Sequence, residues 1–115
     1  RIGPHAVHDA AAFGFHVLAC CYSQEGADEL LGEEGATTSK NIEVVVGDLT
    51  DKLFLESVVA RVKEMVEGNE VSMLYGLVNN AGMVIPGIVD WIPMAAYEKC
   101  MELNFHVPVR LINSL

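Results

Sequence analysis

Apolar and polar positions follow two patterns along the chain. Short, mostly apolar runs occupy residues 16–22, 42–46 and 73–78. Runs of this length are typical of strands that are buried on both faces of a parallel sheet. Between the runs, apolar residues recur three or four positions apart, most clearly over residues 52–67. The pattern therefore predicts strands that alternate with amphipathic helices.

Glycine, proline and short polar residues set the predicted boundaries. Pro4 suits a first helical turn and Gly14 a helix end, while Thr50 or Asp51 can cap the helix that follows them. In chain order, the predicted elements are a helix over 4–13, a strand over 16–22, a helix over 24–31 ending at Gly32, a polar loop over 33–40, a strand over 42–46, a helix over 52–67 ended by Gly68 and Asn69, a strand over 73–78, an irregular segment over 84–92 and a helix from 93 to the end.

This alternation predicts an α/β fold, in which helices cover both faces of a parallel sheet. The chain has 115 residues, about the size of one small domain. Ligands of such sheets bind outside the carboxyl ends of the strands. We therefore expect Cys21 and Tyr22, Asp48 and Leu49, and the segment 79–82 to lie along one rim.

Composition excludes several classes of function. The net charge is −9, and a field of this sign repels phosphate backbones, so nucleic acid is not an expected partner. None of the three cysteines has metal-ligand spacing, and we expect buried thiols in a reducing compartment and no metal site. No apolar run is long enough to span a membrane, the first residues lack a signal-peptide pattern, and the absence of an initiator Met predicts a processed or partial product.

Two adjacent amides, Asn79 and Asn80, follow the third apolar run. A buried amide without partners costs roughly 1–3 kcal/mol, so the chain must emerge there into water or beside a polar ligand. The rim position favours a ligand.

Three segments resemble the short-chain dehydrogenase/reductase family. They are LVNNAG at 77–82, GDLTD at 47–51 and MELNF at 101–105. The sequence around them is most similar to the retinol and hydroxysteroid dehydrogenase branch of the family. The resemblance implies a Rossmann-like doubly wound parallel sheet. It extends over essentially the whole chain but only the first half of the family's length. We therefore expect residues 1–115 to form a partial dinucleotide-binding domain that lacks the first strand and the C-terminal half.

The resemblance also implies roles for individual residues. Asp48 would accept a hydrogen bond from the adenine amino group, and the Leu49 backbone would meet the adenine edge. Asn79 would tie the central strand to its neighbours, while Ala81 and Gly82 would let the cofactor ribose approach. An ionised carboxylate and a glycine suit these roles physically. The alternatives are that Asp48 is only a helix cap and that the asparagines only form a turn.

The N-terminus departs from the family's dinucleotide loop. Aligned without gaps, Gly3 would be the last loop glycine, whereas Arg1 stands where the middle glycine belongs. Arg1 could pair with a phosphate, or it could be a surface residue that spoils the turn. The turn at 21–23 has neither the acid typical of NAD binders nor the basic residues typical of NADP binders. Either cofactor is therefore possible, and the lack of positive charge favours NAD slightly.

Asn104 matches the asparagine of the family's proton relay. Pro108 has no N–H, so the Asn104 carbonyl lacks its helical partner and could hold a water molecule. The alternative is that Pro108 merely bends a surface helix. None of the three tyrosines is followed four residues later by lysine, the pair that the family uses in catalysis.

The resulting hypothesis is part of an NAD(P)-dependent oxidoreductase that transfers hydride between nicotinamide and a hydrophobic alcohol or ketone, such as a retinoid or a steroid. Without the Tyr-x-x-x-Lys pair, we expect this chain alone to be inactive. A non-catalytic nucleotide-binding or interaction remnant is the first alternative, and another doubly wound protein, such as a flavin or phosphoacceptor domain, is the second. The complete form is expected to be an intracellular homo-oligomer, with the endoplasmic reticulum membrane as a location implied by the branch.

Overall fold

A computed structural model of the chain describes residues 2–32 and 39–115. The elements are α1 (Ile2–Ala12), β1 (Val17–Cys21), α2 (Gln24–Gly32), β2 (Ile42–Val46), α3 (Lys52–Glu67), α4 (Met94–Met101), a π-helical segment (Glu102–His106) and α5 (Val107–Ser114), with short 3₁₀ turns at Ser39–Asn41 and Val89–Trp91. The strand over 42–46 and the helix over 52–67 have the predicted bounds. Most of the predicted loop over 33–40 lies outside the described residues.

β1 and β2 form a parallel ladder, in register from Val17 beside Ile42 to Cys21 beside Val46. Successive side chains of a strand point to opposite faces. Ile42 accordingly packs in one core cluster with residues of β1, α1 and α2, namely Ala19, Ala11 and Leu30. The next residue, Glu43, bonds to Arg61 of α3. Helices therefore cover both faces of the sheet, which confirms the Rossmann-like α/β fold.

Local chemistry sets the helix ends as predicted. Gly14 ends α1 with a φ of +93°, a left-handed conformation that glycine adopts without steric cost. Asp51 caps α3, because its carboxylate accepts hydrogen bonds from the N–H groups of Leu53 at 2.8 Å and Phe54 at 3.3 Å. Gly68 follows the last residue of α3.

The predicted strand over 73–78 is wrong. Within the described residues this segment has no ladder partner and no regular secondary structure. Met73, Tyr75 and Val78 are 63%, 78% and 78% exposed. An apolar run becomes a strand only where a neighbouring strand satisfies its backbone groups, and its composition alone does not supply that neighbour.

The last predicted helix is interrupted, as Pro108 led us to expect. The irregularity is the π-helical segment between α4 and α5, where the Val107 N–H bonds to the Glu102 carbonyl five residues earlier. Pro108 cannot donate a hydrogen bond, which favours such an irregularity nearby. Val107 and Leu111 of α5 pack against Leu55 of α3 in a second core cluster.

The expectation of buried cysteines is wrong. Cys20 is exposed, and Cys21 and Cys100 are partly buried. Cys20 lies on the sheet face opposite the α1–α2 core, so alternation along β1 removes it from that core. Among the helices of the described residues, none combines the length and the apolar character that crossing a membrane requires.

Candidate functional site

Asp48 lies in a turn just beyond the carboxyl end of β2. Its Oδ1 accepts two hydrogen bonds from Thr50, one from the N–H at 2.9 Å and one from the hydroxyl at 2.7 Å. Its carbonyl accepts a bond from the Asp51 N–H at 2.9 Å, which closes the turn. Oδ2 accepts no hydrogen bond from the described part of the chain. The turn therefore fixes the carboxylate and leaves one oxygen for another donor.

The same contacts favour the ionised form of Asp48. Hydrogen bonds from the Thr50 hydroxyl and N–H hold the pKa of the carboxyl below its ordinary value, and the charge of Lys99 in α4 acts in the same direction. Leu49, the next residue, packs against the core cluster of α3 and α5. Asp48 therefore precedes α3 without capping it. Asp51 is the residue that caps this helix.

Asn104 joins the π-helical segment to the chain that follows the asparagine pair. Its Oδ1 accepts the Met83 N–H at 2.9 Å, and its Nδ2 donates to the Met83 carbonyl at 2.8 Å. We name these two bonds the Asn104 bridge. A side-chain amide that pairs with both backbone groups of one residue fixes that residue as a strand neighbour would. The bridge therefore holds the end of the 77–82 segment against the helix.

Two glycines allow close approach around this segment. A Cβ on Gly82 would lie 3.3 Å from Asn104 Oδ1, and a Cβ on Gly3 would lie 2.7 Å from Asn80 Nδ2. Glycine at position 3 therefore lets the first turn of α1 meet the Asn80 side chain. The structure thus brings together Gly3 with Asn80, and Gly82 with Asn104.

The remaining sequence-predicted residues make fewer contacts. Asn79 and Ala81 are both exposed, and the Asn79 side chain forms no hydrogen bond within the described ranges. The tie between strands expected of Asn79, and the roles of Leu49 and Ala81, remain predictions. Arg1 lies outside the described residues.

Sequence reasoning missed three participants. Thr50 completes the Asp48 turn, and the spacing of an acid two residues before a threonine is a signal that could have identified it. Cys100 lies four residues before Asn104, which places both on one helical face. Its thiol donates to the Met83 carbonyl at 3.3 Å and accepts from Asn104 Nδ2 at 3.3 Å. No local pattern marks Met83, which takes part through its backbone.

Comparison with known proteins identifies the class. The profile of the short chain dehydrogenase family matches residues 2–115, and the chain belongs to this family. Members of this family generally use NAD or NADP as cofactor. No solved structure gives a significant match.

Curated relatives resemble the chain over most of its length. It is 34% identical over 94 residues to dehydrogenase/reductase SDR family member 9 of Homo sapiens, covering 79% of this chain and 27% of that protein. It is 34% identical over 91 residues to retinol dehydrogenase 7 of Mus musculus, with the same coverage. It is 37% identical over 94 residues to 17-beta-hydroxysteroid dehydrogenase type 6 of Homo sapiens, covering 81% of this chain and 27% of that protein. The matched region is therefore about a quarter of each relative.

Proposed function

We propose that this chain forms the adenine-nucleotide part of the cofactor site in an NAD(P)-dependent oxidoreductase. The observation that supports this most directly is the Asp48 carboxylate at the end of β2. Thr50 occupies only its Oδ1, and Oδ2 is available to accept a hydrogen bond from the adenine amino group. The lowered pKa of Asp48 keeps the acceptor ionised, and bonds to a charged acceptor are the stronger kind.

Gly82 and Asn104 support the same assignment. The Asn104 bridge orders the backbone beside Gly82, and Gly82 has no Cβ to obstruct a ribose. Pro108 has no N–H to donate to the Asn104 carbonyl, and we propose that this carbonyl holds a water in a proton relay. The cofactor, when bound, supplies or accepts the hydride. The turn after β1 contains Tyr22 and Ser23 and no basic residue, which favours NAD over NADP.

The proposed substrate is a hydrophobic alcohol or ketone of the retinoid or steroid kind. This part of the proposal rests on the names of the relatives, which include a retinol dehydrogenase and a hydroxysteroid dehydrogenase. The same resemblance makes the endoplasmic reticulum membrane our proposed location and a homo-oligomer our proposed state of the whole protein. Cofactor-dependent oxidation of retinol and of a steroid alcohol, measured with the protein isolated from its natural source, tests the substrate. Oxidation of short-chain alcohols alone would contradict it.

Nucleotide binding is tested directly on the 115-residue chain. The ¹⁵N-labelled chain is titrated with NADH, NADPH and reduced nicotinamide mononucleotide, which lacks adenosine. We expect both dinucleotides to shift the amide resonances of Asp48, Leu49 and Gly82, with NADH binding at least as tightly as NADPH. The mononucleotide should leave Asp48 and Leu49 unshifted. Absence of any shift near Asp48 with either dinucleotide would refute the proposal.

A matched pair of variants isolates the adenine contact. Asp48→Asn keeps the side-chain shape but removes the charge, and we expect it to weaken dinucleotide binding roughly five- to tenfold. Asp90→Asn makes the same change in the exposed Val89–Trp91 turn and should have no effect. Equal weakening by both variants would mean that net charge, rather than the Asp48 contact, controls binding. Dinucleotide binding without hydride transfer by the naturally produced protein would favour the non-catalytic alternative.

A further inference from the structure

Cys100 contacts both partners of the Asn104 bridge. Its Sγ lies 3.3 Å from the Met83 carbonyl oxygen and 3.3 Å from Asn104 Nδ2. A thiol is a weak donor and a weak acceptor, and here it fills both capacities. The Met83 carbonyl consequently receives two donors, the Asn104 amide and the Cys100 thiol. Cys100 lies in α4 and is partly buried.

We propose that Cys100 is a positioning residue for Asn104, a role whose value for the reaction rests on the proposed function. The Asn104 amide has two N–H donors and one carbonyl acceptor. One N–H bonds to the Met83 carbonyl at 2.8 Å, the carbonyl accepts the Met83 N–H at 2.9 Å, and Cys100 Sγ accepts the second N–H. Both N–H groups and the carbonyl oxygen of the Asn104 amide therefore have a hydrogen-bond partner.

This arrangement selects one orientation of the amide. Rotating it by half a turn would place Asn104 Oδ1 against the Met83 carbonyl and against the Cys100 sulfur, and would place Nδ2 against the Met83 N–H. The two pairs with Met83 put like partners together, and the Cys100 thiol could donate to Oδ1 only by giving up its bond to the Met83 carbonyl, so the rotated amide forfeits hydrogen bonds. Cys100 thus adds a third reason for the amide to hold its orientation. It does so on a helix that the π turn has made irregular between the two residues.

Cys100 affects the proposed cofactor site without touching the cofactor. Met83 follows Gly82, and a Cβ at position 82 would lie only 3.3 Å from Asn104 Oδ1. An Asn104 side chain that is free to rotate would no longer hold this backbone at a fixed distance. Cys100 therefore acts through Asn104 on the place where the ribose is expected.

Hydrogen exchange on the ¹⁵N-labelled chain tests the role. Exchange of the Met83 N–H reports the bridge, and the two Asn104 side-chain N–H resonances report the amide orientation. We expect Cys100→Ala to speed Met83 exchange about two- to tenfold and to bring the two Asn104 resonances closer together. Cys100→Ser retains a donor and an acceptor and should return both measurements close to the original values. Cys20→Ala, a control in the exposed part of β1, should change neither.

Two results would overturn the proposal. In the first, Asn104→Ala speeds Met83 exchange but Cys100→Ala leaves both measurements unchanged. In the second, Cys100→Ala speeds exchange uniformly along α4 and serine does not restore it, which would indicate a packing role. Neither measurement requires a nucleotide. A failure of the titration with NADH would therefore refute the proposed function and leave this result standing.

Discussion

Arg61 in α3 holds the carboxylate of Glu43 in β2 with two hydrogen bonds, 2.7 Å from Nε and 2.8 Å from Nη2. The same guanidinium makes two bonds of 2.8 Å to Glu70, which follows α3. Glu64 lies 3.4 Å from Nη1, and His16 Nε2 lies 3.8 Å from Glu43. A single cation thus connects β2, α3 and the segment that follows α3.

Replacing Arg61 tests whether this connection stabilises the fold. We expect Arg61→Met to lower the Tm measured by circular dichroism, because Glu43 and Glu70 lose their shared partner. Arg61→Lys should recover only part of the loss, since an ammonium cannot form two forked pairs at once. Lys63→Met, an exposed change on the same helix, is the control and should have little effect. Full recovery with lysine would mean that charge alone matters.

The Arg61 effect should depend on pH in one direction. Hydrogen bonds from Arg61 lower the pKa of Glu43 and of Glu70 in the folded chain. A carboxyl whose folded pKa is depressed contributes stability above its unfolded pKa, and this contribution is lost as pH falls through the folded value. The Tm difference between the native chain and Arg61→Met should therefore be full at neutral pH and shrink below the ordinary glutamate range. A difference that grows on acidification would contradict the assignment.

The Thr50 hydroxyl should control the ionisation of Asp48. It is the largest of the contacts that keep the pKa of Asp48 below its ordinary value. We expect Thr50→Val to raise that pKa, because the hydroxyl bond is lost while the bond from the Thr50 N–H remains. Thr50→Ser keeps the hydroxyl and should leave the pKa low. Carboxyl ¹³C shifts followed by NMR during acid titration measure the change, and an equal pKa in the valine and serine variants would refute the contact.

Gly47 should tolerate no side chain. A Cβ at this position would lie 2.5 Å from the side-chain ring of Phe54. Phe54 lies in the first turn of α3, and its ring would have to move. We expect Gly47→Ala to destabilise the chain by about 1–3 kcal/mol in urea unfolding, as overpacking does. Adding Phe54→Leu should recover part of this loss. Gly76→Ala meets nothing within 4 Å and serves as the control. Equal effects of the two alanines would indicate a backbone cause.

The fold was predictable where a local signal agreed with the packing. Asp51 and Gly68 bound α3, and its apolar positions face the core, so sequence alone located it. The strand predicted over 73–78 was wrong because apolar composition, the basis of that prediction, does not indicate whether a neighbouring strand is present. The residues of the candidate site were likewise predictable only in part. Asp48 and Asn104 belong to recognisable motifs, whereas Met83 takes part through backbone atoms that any residue would supply.

Turnover should be absent from the isolated chain. None of its tyrosines is followed four residues later by a lysine, and without a nearby cation a tyrosine is a poor base near neutral pH. We expect no change in nicotinamide absorbance when the chain is incubated with NAD or NADP and with retinol or a steroid alcohol. A relative that contains the catalytic pair is the positive control. Clear cofactor-dependent oxidation by the chain would require a different base.

Self-association is expected through the unpaired edge of the sheet. Within the described residues β1 has a strand partner on one side only, and unpaired edges invite pairing with another chain. The apolar segment 73–78 adds exposed surface, with Tyr75 and Val78 each 78% exposed. Sedimentation velocity should show association that increases with concentration, and Val78→Lys should weaken it. Leu53→Lys introduces the same charge at a residue that is 76% exposed on α3 and should not. A monomer at every concentration, or equal effects of the two lysines, would rule out this surface.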